Sequence, residues 1–220
     1  MIPLQKLEDF MRLLHKVQNV KRVARVPDEK EYRNTAEHTF EVVLLCWYIA
    51  SANKLDLDHE KILKYALAHD LLEAYSGDTP IHDTEAQKTK VEREARAVAQ
   101  IKRDFEEFSE LSDIIHEYEK RDSPESKFVY AVDKLIDPLN SGMETTQSIW
   151  NDEGISYDFF REYKEKKVTI SDAVSPYWKQ LLEKLNARKD FFFTDTKETV
   201  PTAQAQDQDP PDPVWHHGSK

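Results

Sequence analysis

Apolar residues recur at helical spacing from the start of the chain. Leu4, Leu7, Phe10, Met11, Leu14 and Val17 fall three and four apart, the stripe that an amphipathic helix buries. The pattern stops at KRVARVPDEKEYRN, residues 21–34, where Pro27 and a cluster of charges predict a loop. Asn34 and Glu37 stand at capping-box spacing. Each side chain can satisfy a backbone N–H that the first helical turn leaves open. The helix they open runs to about residue 52. Its middle, VVLLCWYIA over 42–50, is apolar nearly all round, so it is expected to be the central, buried helix.

Asp58 caps a third helix, expected to run unbroken to about Tyr75 and to stop at Gly77. A tight turn, Gly77 to Pro80, follows. Residues 84–108 read as one long, charged helix with Val91, Ala95, Val98, Ile101 and Phe105 as its inner stripe. SELSDIIHEYEK, residues 109–120, is a shorter helix. Ser123 and Pro124 open another, and Pro138 is expected to kink or end it. Helices near 156–167 and 171–190 complete the globule. No stretch alternates like a strand. The pattern therefore predicts an all-α bundle over residues 1–193. Residues 194–220 carry four prolines and almost nothing to bury, and read as a flexible C-terminal tail.

Composition narrows this reading. Only four glycines occur in 220 residues, which favours helices over tight hairpins. The net charge is −11, which argues against a nucleic-acid polymer as the main partner, because such binding needs clustered Lys and Arg. A single cysteine, Cys46, permits no intrachain disulfide and fits a reducing compartment as a buried small hydrophobe. The longest apolar run is nine residues, too short to span a membrane, and MIPLQKLEDF lacks the apolar core of a signal peptide. A cytoplasmic protein is expected.

The chemistry lies in YALAHDLLEAYSGDTP, residues 65–80, where His69, Asp70 and Glu73 interrupt an apolar run and Asp78 follows it. Buried charges are costly unless paired or metal-bound. His38 lies in the first turn of the central helix, and Asp133 sits in the largely apolar YAVDKL. Two imidazoles and two carboxylates suit a divalent ion such as Mn2+, Co2+ or Zn2+. Each also has a purely structural reading. His38 can cap or pack, His69 and Asp70 can bond each other, Asp133 can pair with Lys134, Glu73 can form a surface salt bridge, and Asp78 can shape the turn. Asp137 is read as capping the kink before Pro138 and is given no role.

The order His, His-Asp, distant Asp on helices resembles the HD-domain metal-dependent phosphohydrolase superfamily. AEHTFEVVLLCWYIA, KYALAHDLLEAYSGDTP and DSPESKFVYAVDKLID together resemble its 5'-deoxynucleotidase branch, over roughly residues 5–150. The resemblance implies an HD-domain helical bundle. It implies His38, His69, Asp70 and Asp133 as ligands of a divalent metal (Mn2+, Co2+, Mg2+ or Zn2+), and Glu73 as the catalytic carboxylate. Asp78 and the turn from Thr79 to Ile81 match the segment that contacts the nucleoside. Arg22 matches an arginine that orients the phosphate, with Arg25 and Arg33 nearby. The bulky residue that follows this arginine in the family is here Val23. The implied substrate is a (deoxy)ribonucleoside 5'-monophosphate, and the implied assembly is a homodimer.

The spacing alone fits that reading, since Glu73 lies four residues after His69 and three after Asp70, on one face of one helix. Two other functions stay open. One is a two-metal phosphodiesterase or oxygenase on the same fold, which needs further histidines; His82 and His116 are read as incidental. The other is a non-catalytic nucleotide-binding module.

Overall fold

A computed structural model describes residues 1–28, 31–79, 83–145 and 149–194. In chain order the elements are α1 (Leu4–Asn19), β1 (Lys21–Arg25), β2 (Tyr32–Asn34), α2 (Thr35–Ala52), α3 (His59–Ala68), α4 (Glu73–Ser76), α5 (Thr84–Lys88), α6 (Lys90–Asp104), α7 (Ser109–Lys120), α8 (Pro124–Met143), α9 (Ile149–Asp152), α10 (Tyr157–Val168) and α11 (Ser175–Asn186). The fold is helical, as the periodicity predicts. The tail from residue 195 onward, with Ile81 and His82, lies outside the described residues.

The apolar stripes meet in two clusters. The larger packs α2, α3, α8, α10 and α11 around Phe128, Trp178 and Phe160. The smaller packs α1, α6 and α7 around Leu13, Ile101 and Ile115. Fully burying one such side chain contributes roughly 1.5–3 kcal/mol, so both clusters contribute strongly to holding the helices in place. The segment after α3 crosses between them. Tyr65 and Ala66 belong to the first cluster and Ala68, Leu71 and Leu72 to the second. His69 and Asp70 fall at the crossing.

Several expectations need correction. Residues 21–34 are not a plain loop: β1 and β2 pair antiparallel, Lys21 opposite Asn34 and Arg25 opposite Tyr32. The strands are short and charged, so they carry too few positions for a period of two to show. The long helix of residues 84–108 is divided into α5, α6 and a 3₁₀ turn, Glu106–Phe108. In α6 the fully buried positions are Ala97 and Ile101, while Val91 and Ala95 line a cavity instead. Pro138 does not end α8, which continues to Met143. Dense packing of its neighbours offsets the lost backbone bond. Gly142 contributes to that packing, since a Cβ there would lie 2.8 Å from Leu181 Cδ1. The short helix α9 was not expected.

The start of α2 matches expectation and its burial does not. The capping box forms: Asn34 Oδ1 accepts from Glu37 N–H at 2.9 Å, and Asn34 N–H donates to Glu37 Oε2 at 2.9 Å. The helix is not buried all round, however. Phe40, Trp47 and Tyr48 are 65%, 55% and 70% exposed, because the bundle covers only the face that carries His38, Val42, Cys46 and Ile49.

Candidate metal centre and its cavity

The third helix does not run to Tyr75. It ends at Ala68, and the following backbone tightens. His69 N–H still reaches Tyr65 O at 2.9 Å, but Leu71 bonds Ala68 at 3.1 Å, Glu73 bonds Asp70 at 3.0 Å and Ala74 bonds Leu71 at 3.2 Å. These are 3₁₀ spacings, at which positions i and i+3 eclipse. Glu73 therefore falls over Asp70, a stacking that a straight α-helix gives only approximately. Gly77 then turns the chain with φ 71° and ψ 160°, a region that side chains other than glycine's rarely enter.

His38 from α2, His69 from the tightened turn and Asp133 from α8 each offer a ligand atom within 4.8 Å of the others, and all three are buried. His38 Nε2 lies 3.0 Å from Asp133 Oδ1. Asp70 Oδ2 adjoins the group, 3.1 Å from His69 Nε2 and 3.6 Å from His38 Nε2. His69 Nδ1 sits 2.8 Å from the Ala66 carbonyl. A carbonyl only accepts, so Nδ1 carries a hydrogen, and in the neutral ring that a bound ion requires Nε2 presents a lone pair. That Nε2 is buried and has no hydrogen-bond partner among the described residues. A lone pair turned toward a carboxylate is the arrangement a cation between them would satisfy, so the donor set fits a divalent ion.

The charges around this cluster act on one another. Burial opposes ionisation of Asp70, but the His69 and Arg22 cations hold it below the usual carboxylate range. Burial likewise opposes the charged form of His69, and in the ion-free protein Asp70 outweighs it, holding the imidazole up at about 9. Burial, with the Arg22 charge nearby, pushes His38 down. Asp133 is held low, against burial, by Lys134 and by its bond to His38. Lys134 Nζ is 2.7 Å from Asp133 Oδ2, so pairing with Lys134 and facing the histidines occur together.

A cavity of about 280 Å³ opens on the cluster. Arg22 and Ala24, two apart on β1, share the face that lines it. Arg22 Nη1 donates to Asp70 Oδ2 at 2.8 Å and lies 3.6 Å from Glu73 Oε2, while its Nε has no partner among the described residues. Glu73 also accepts from Thr35 Oγ1 at 2.8 Å. Burial, then the Asp70 charge, push Glu73 up to about 8. Asp78 and Thr79 line the same cavity. Arg33 is committed elsewhere, paired with Glu41 and with Asp137 at 2.8 Å. Asp137, given no role from the sequence, thus anchors a buried arginine.

Sequence reasoning missed two supports. Thr35 stands three residues before His38 in the same capping turn, a signal that was present. Arg93 had none, being one charge among many on α6. It donates to the Ser76 carbonyl and, at 2.7 Å, to Thr79 Oγ1, so it clamps the turn that carries Asp78. His116, on α7, is not among the described residues that line the cavity.

Known proteins share this fold. A family model described as an HD domain matches residues 14–175. The 5'-deoxynucleotidases of Danio rerio and Homo sapiens are each 28% identical, over 57% and 59% of this chain and 63% and 64% of theirs. The matched region is thus less than two thirds of these curated relatives' length. A solved structure from Magnetospirillum magnetotacticum, a "predicted metal-dependent phosphohydrolase", superposes with TM-score 0.73 at 23% identity, over 87% of this chain and 98% of that one. An HD phosphohydrolase of cyanophage S-2L, bound to dA and one catalytic Zn2+ ion, has TM-score 0.52 at 19% identity over 86% of this chain and 98% of its own.

Proposed function

The chain belongs to the HD-domain family, and on that premise we propose that it is a metal-dependent 5'-nucleotidase. It would hydrolyse (deoxy)ribonucleoside 5'-monophosphates to nucleoside and phosphate. One observation carries the reading: two buried imidazoles, the buried Asp133 and the partly buried Asp70, from three parts of the fold, converge on one point, beside a cavity lined by Arg22 and Glu73. The names of the similar 5'-deoxynucleotidases support the substrate class.

His38, His69, Asp70 and Asp133 would hold the ion. When bound, a divalent cation supplies a Lewis acid for phosphoryl oxygens and a lower pKa for the attacking water. Arg22 lines the cavity and its buried Nε has no partner among the described residues, and a guanidinium fork suits two phosphate oxygens. Glu73, held by Thr35 and within reach of Arg22, is placed to accept a proton from the water and return it to the leaving nucleoside oxygen. Asp78 and Thr79, on the turn clamped by Arg93, would contact the nucleoside.

We assign this activity to residues 1–193 and none of it to 194–220. The exposed apolar face of α2, with Phe40, Leu44, Trp47 and Tyr48, supports a homodimer, because patches of that kind mark protein contacts. No helix among the described residues is long and apolar enough to cross a membrane. The single buried Cys46 fits a reducing compartment, the cytoplasm.

The test is phosphate release from a panel of ribo- and deoxyribonucleoside monophosphates, run beside a phosphodiester. Release from monophosphates alone is expected. Cleavage of the diester would favour the two-metal phosphodiesterase alternative. Binding without release from any compound would leave a nucleotide-binding module.

A further inference from the structure

The cavity continues past the metal cluster along another wall. Asp137, Asn140, Trp150 and Lys164, from α8, α9 and α10, line it with Arg33. Three buried donors in this wall have no hydrogen-bond partner among the described residues: Arg33 Nε, Asn140 Nδ2 and Trp150 Nε1. Lys164 adds an ammonium on a residue only 4% exposed. Its carboxylate neighbour is Asp137 Oδ2 at 3.8 Å, beyond hydrogen-bond reach. Asp137 already accepts from Arg33 Nη2 at 2.8 Å. Lysines are almost never buried without a close partner, and burial holds this one below its usual pKa against the pull of Asp137.

Native proteins satisfy nearly all of their buried donors. Unmet donors gathered on one wall, one of them charged, match a group made only of acceptors. Phosphate offers several strong acceptor oxygens and negative charge. Glu144 and Glu153 line the wall too, so the directed donors, not net charge, select the ligand. Asp133 and Asn140 are seven residues apart on α8, a rise of roughly 10 Å. A group held at Asn140 and Lys164 is therefore not the phosphoryl group that the metal cluster would hold.

We propose that this wall is a second anion subsite, built for a phosphate group and separate from the one at the metal cluster, an inference that rests on reading the cavity as a phosphate-ester site. The phosphate could belong to a longer phosphate chain or be a separate ion.

Calorimetric titration of the full chain with its metal, using inorganic phosphate and inorganic pyrophosphate as probes, tests this. The wild type is expected either to take two phosphates per chain or to bind pyrophosphate at least tenfold tighter than phosphate. The first result identifies a separate ion and the second a continuing chain. Lys164→Met should abolish the second phosphate or the pyrophosphate advantage. Trp150→Phe, which keeps the ring and removes the N–H, should weaken it severalfold. Thermal unfolding reports whether each variant folds; if Lys164→Met does not, Trp150→Phe carries the test. One phosphate per chain with no pyrophosphate advantage, or binding that neither variant changes, would mean that water fills the wall and would overturn the subsite. Binding is read without turnover, so a protein that releases no phosphate from monophosphates would fail the hydrolytic reading without deciding this one.

Discussion

At the scale of single residues, Glu73 and His69 have roles that separate cleanly. Glu73 touches Thr35 and Arg22, whereas His69 turns Nε2 toward Asp70 in the cluster, 3.1 Å away. Glu73→Ala is expected to keep its metal and lose turnover by about 10²–10⁴, the usual contribution of a positioned acid or base. His69→Ala should lose metal and turnover together. Metal analysis and kinetics on the two variants check this; an empty site in Glu73→Ala would make Glu73 a ligand. The ion-free protein adds a second expectation. Glu73 and His69 are both held above their ordinary values, at about 8 and about 9. A group raised on folding stabilises the fold below its unfolded pKa and loses that contribution as pH rises through the folded one. Stability in chelator should therefore fall between about pH 5 and pH 9, and Glu73→Gln should flatten its lower part. Urea unfolding across that range reads the slope, and a stability that rises instead would contradict the arrangement. His69 and Asp70 were legible in the sequence because polar residues inside an apolar run are conspicuous, whereas His38 and Asp133 stood out only in combination with them. Arg33, Asp137 and Lys164 were not legible, since the Arg33–Asp137 and Lys164–Asp137 pairs span 104 and 27 positions and leave no local mark.

At the scale of elements, periodicity located α1, α2, α7 and α8 closely and failed where backbone geometry changes without a change in pattern. No glycine or proline interrupts residues 65–76, so nothing in the pattern warns that α3 ends at Ala68 and gives way to 3₁₀ spacing. The β1–β2 pair was hidden for a different reason. It lies over the site, where Arg22 meets Asp70, a long-range contact that leaves no mark in the local pattern. Gly77 was legible as a stop signal, but its conformation shows more. A Cβ there would meet nothing within 4 Å, so replacement costs backbone strain and no clash. Gly77→Ala is expected to lose about 1–3 kcal/mol of stability and to raise KM for a nucleoside monophosphate, because the turn carries Asp78. Denaturant unfolding and steady-state kinetics check both effects. Unchanged stability would mean that the turn relaxes to another conformation.

At the scale of the whole molecule, the cluster ties α2, α8 and the segment after α3 together where the two apolar cores meet. Without an ion, that junction holds several buried ionisable groups facing one another. Ion binding should therefore stabilise the entire fold. At free metal a thousandfold above Kd the gain is about 4 kcal/mol, roughly 8–16 °C in Tm for a chain of this size. Calorimetric unfolding with and without chelator reads it, and an unchanged Tm would place any bound ion away from this junction. The overall helical class was legible because so many stripes share one period. The division into two cores was not, since periodicity reveals which face is buried and not which partner buries it.

The most direct measurement returns metal in known amounts to chelated protein while phosphate release from a deoxyribonucleoside monophosphate is followed. Release should be abolished by chelation and rise linearly with added ion, levelling at one ion per chain. Release that survives complete metal removal, or that levels only at two ions per chain, would contradict a single-ion site built from His38, His69, Asp70 and Asp133.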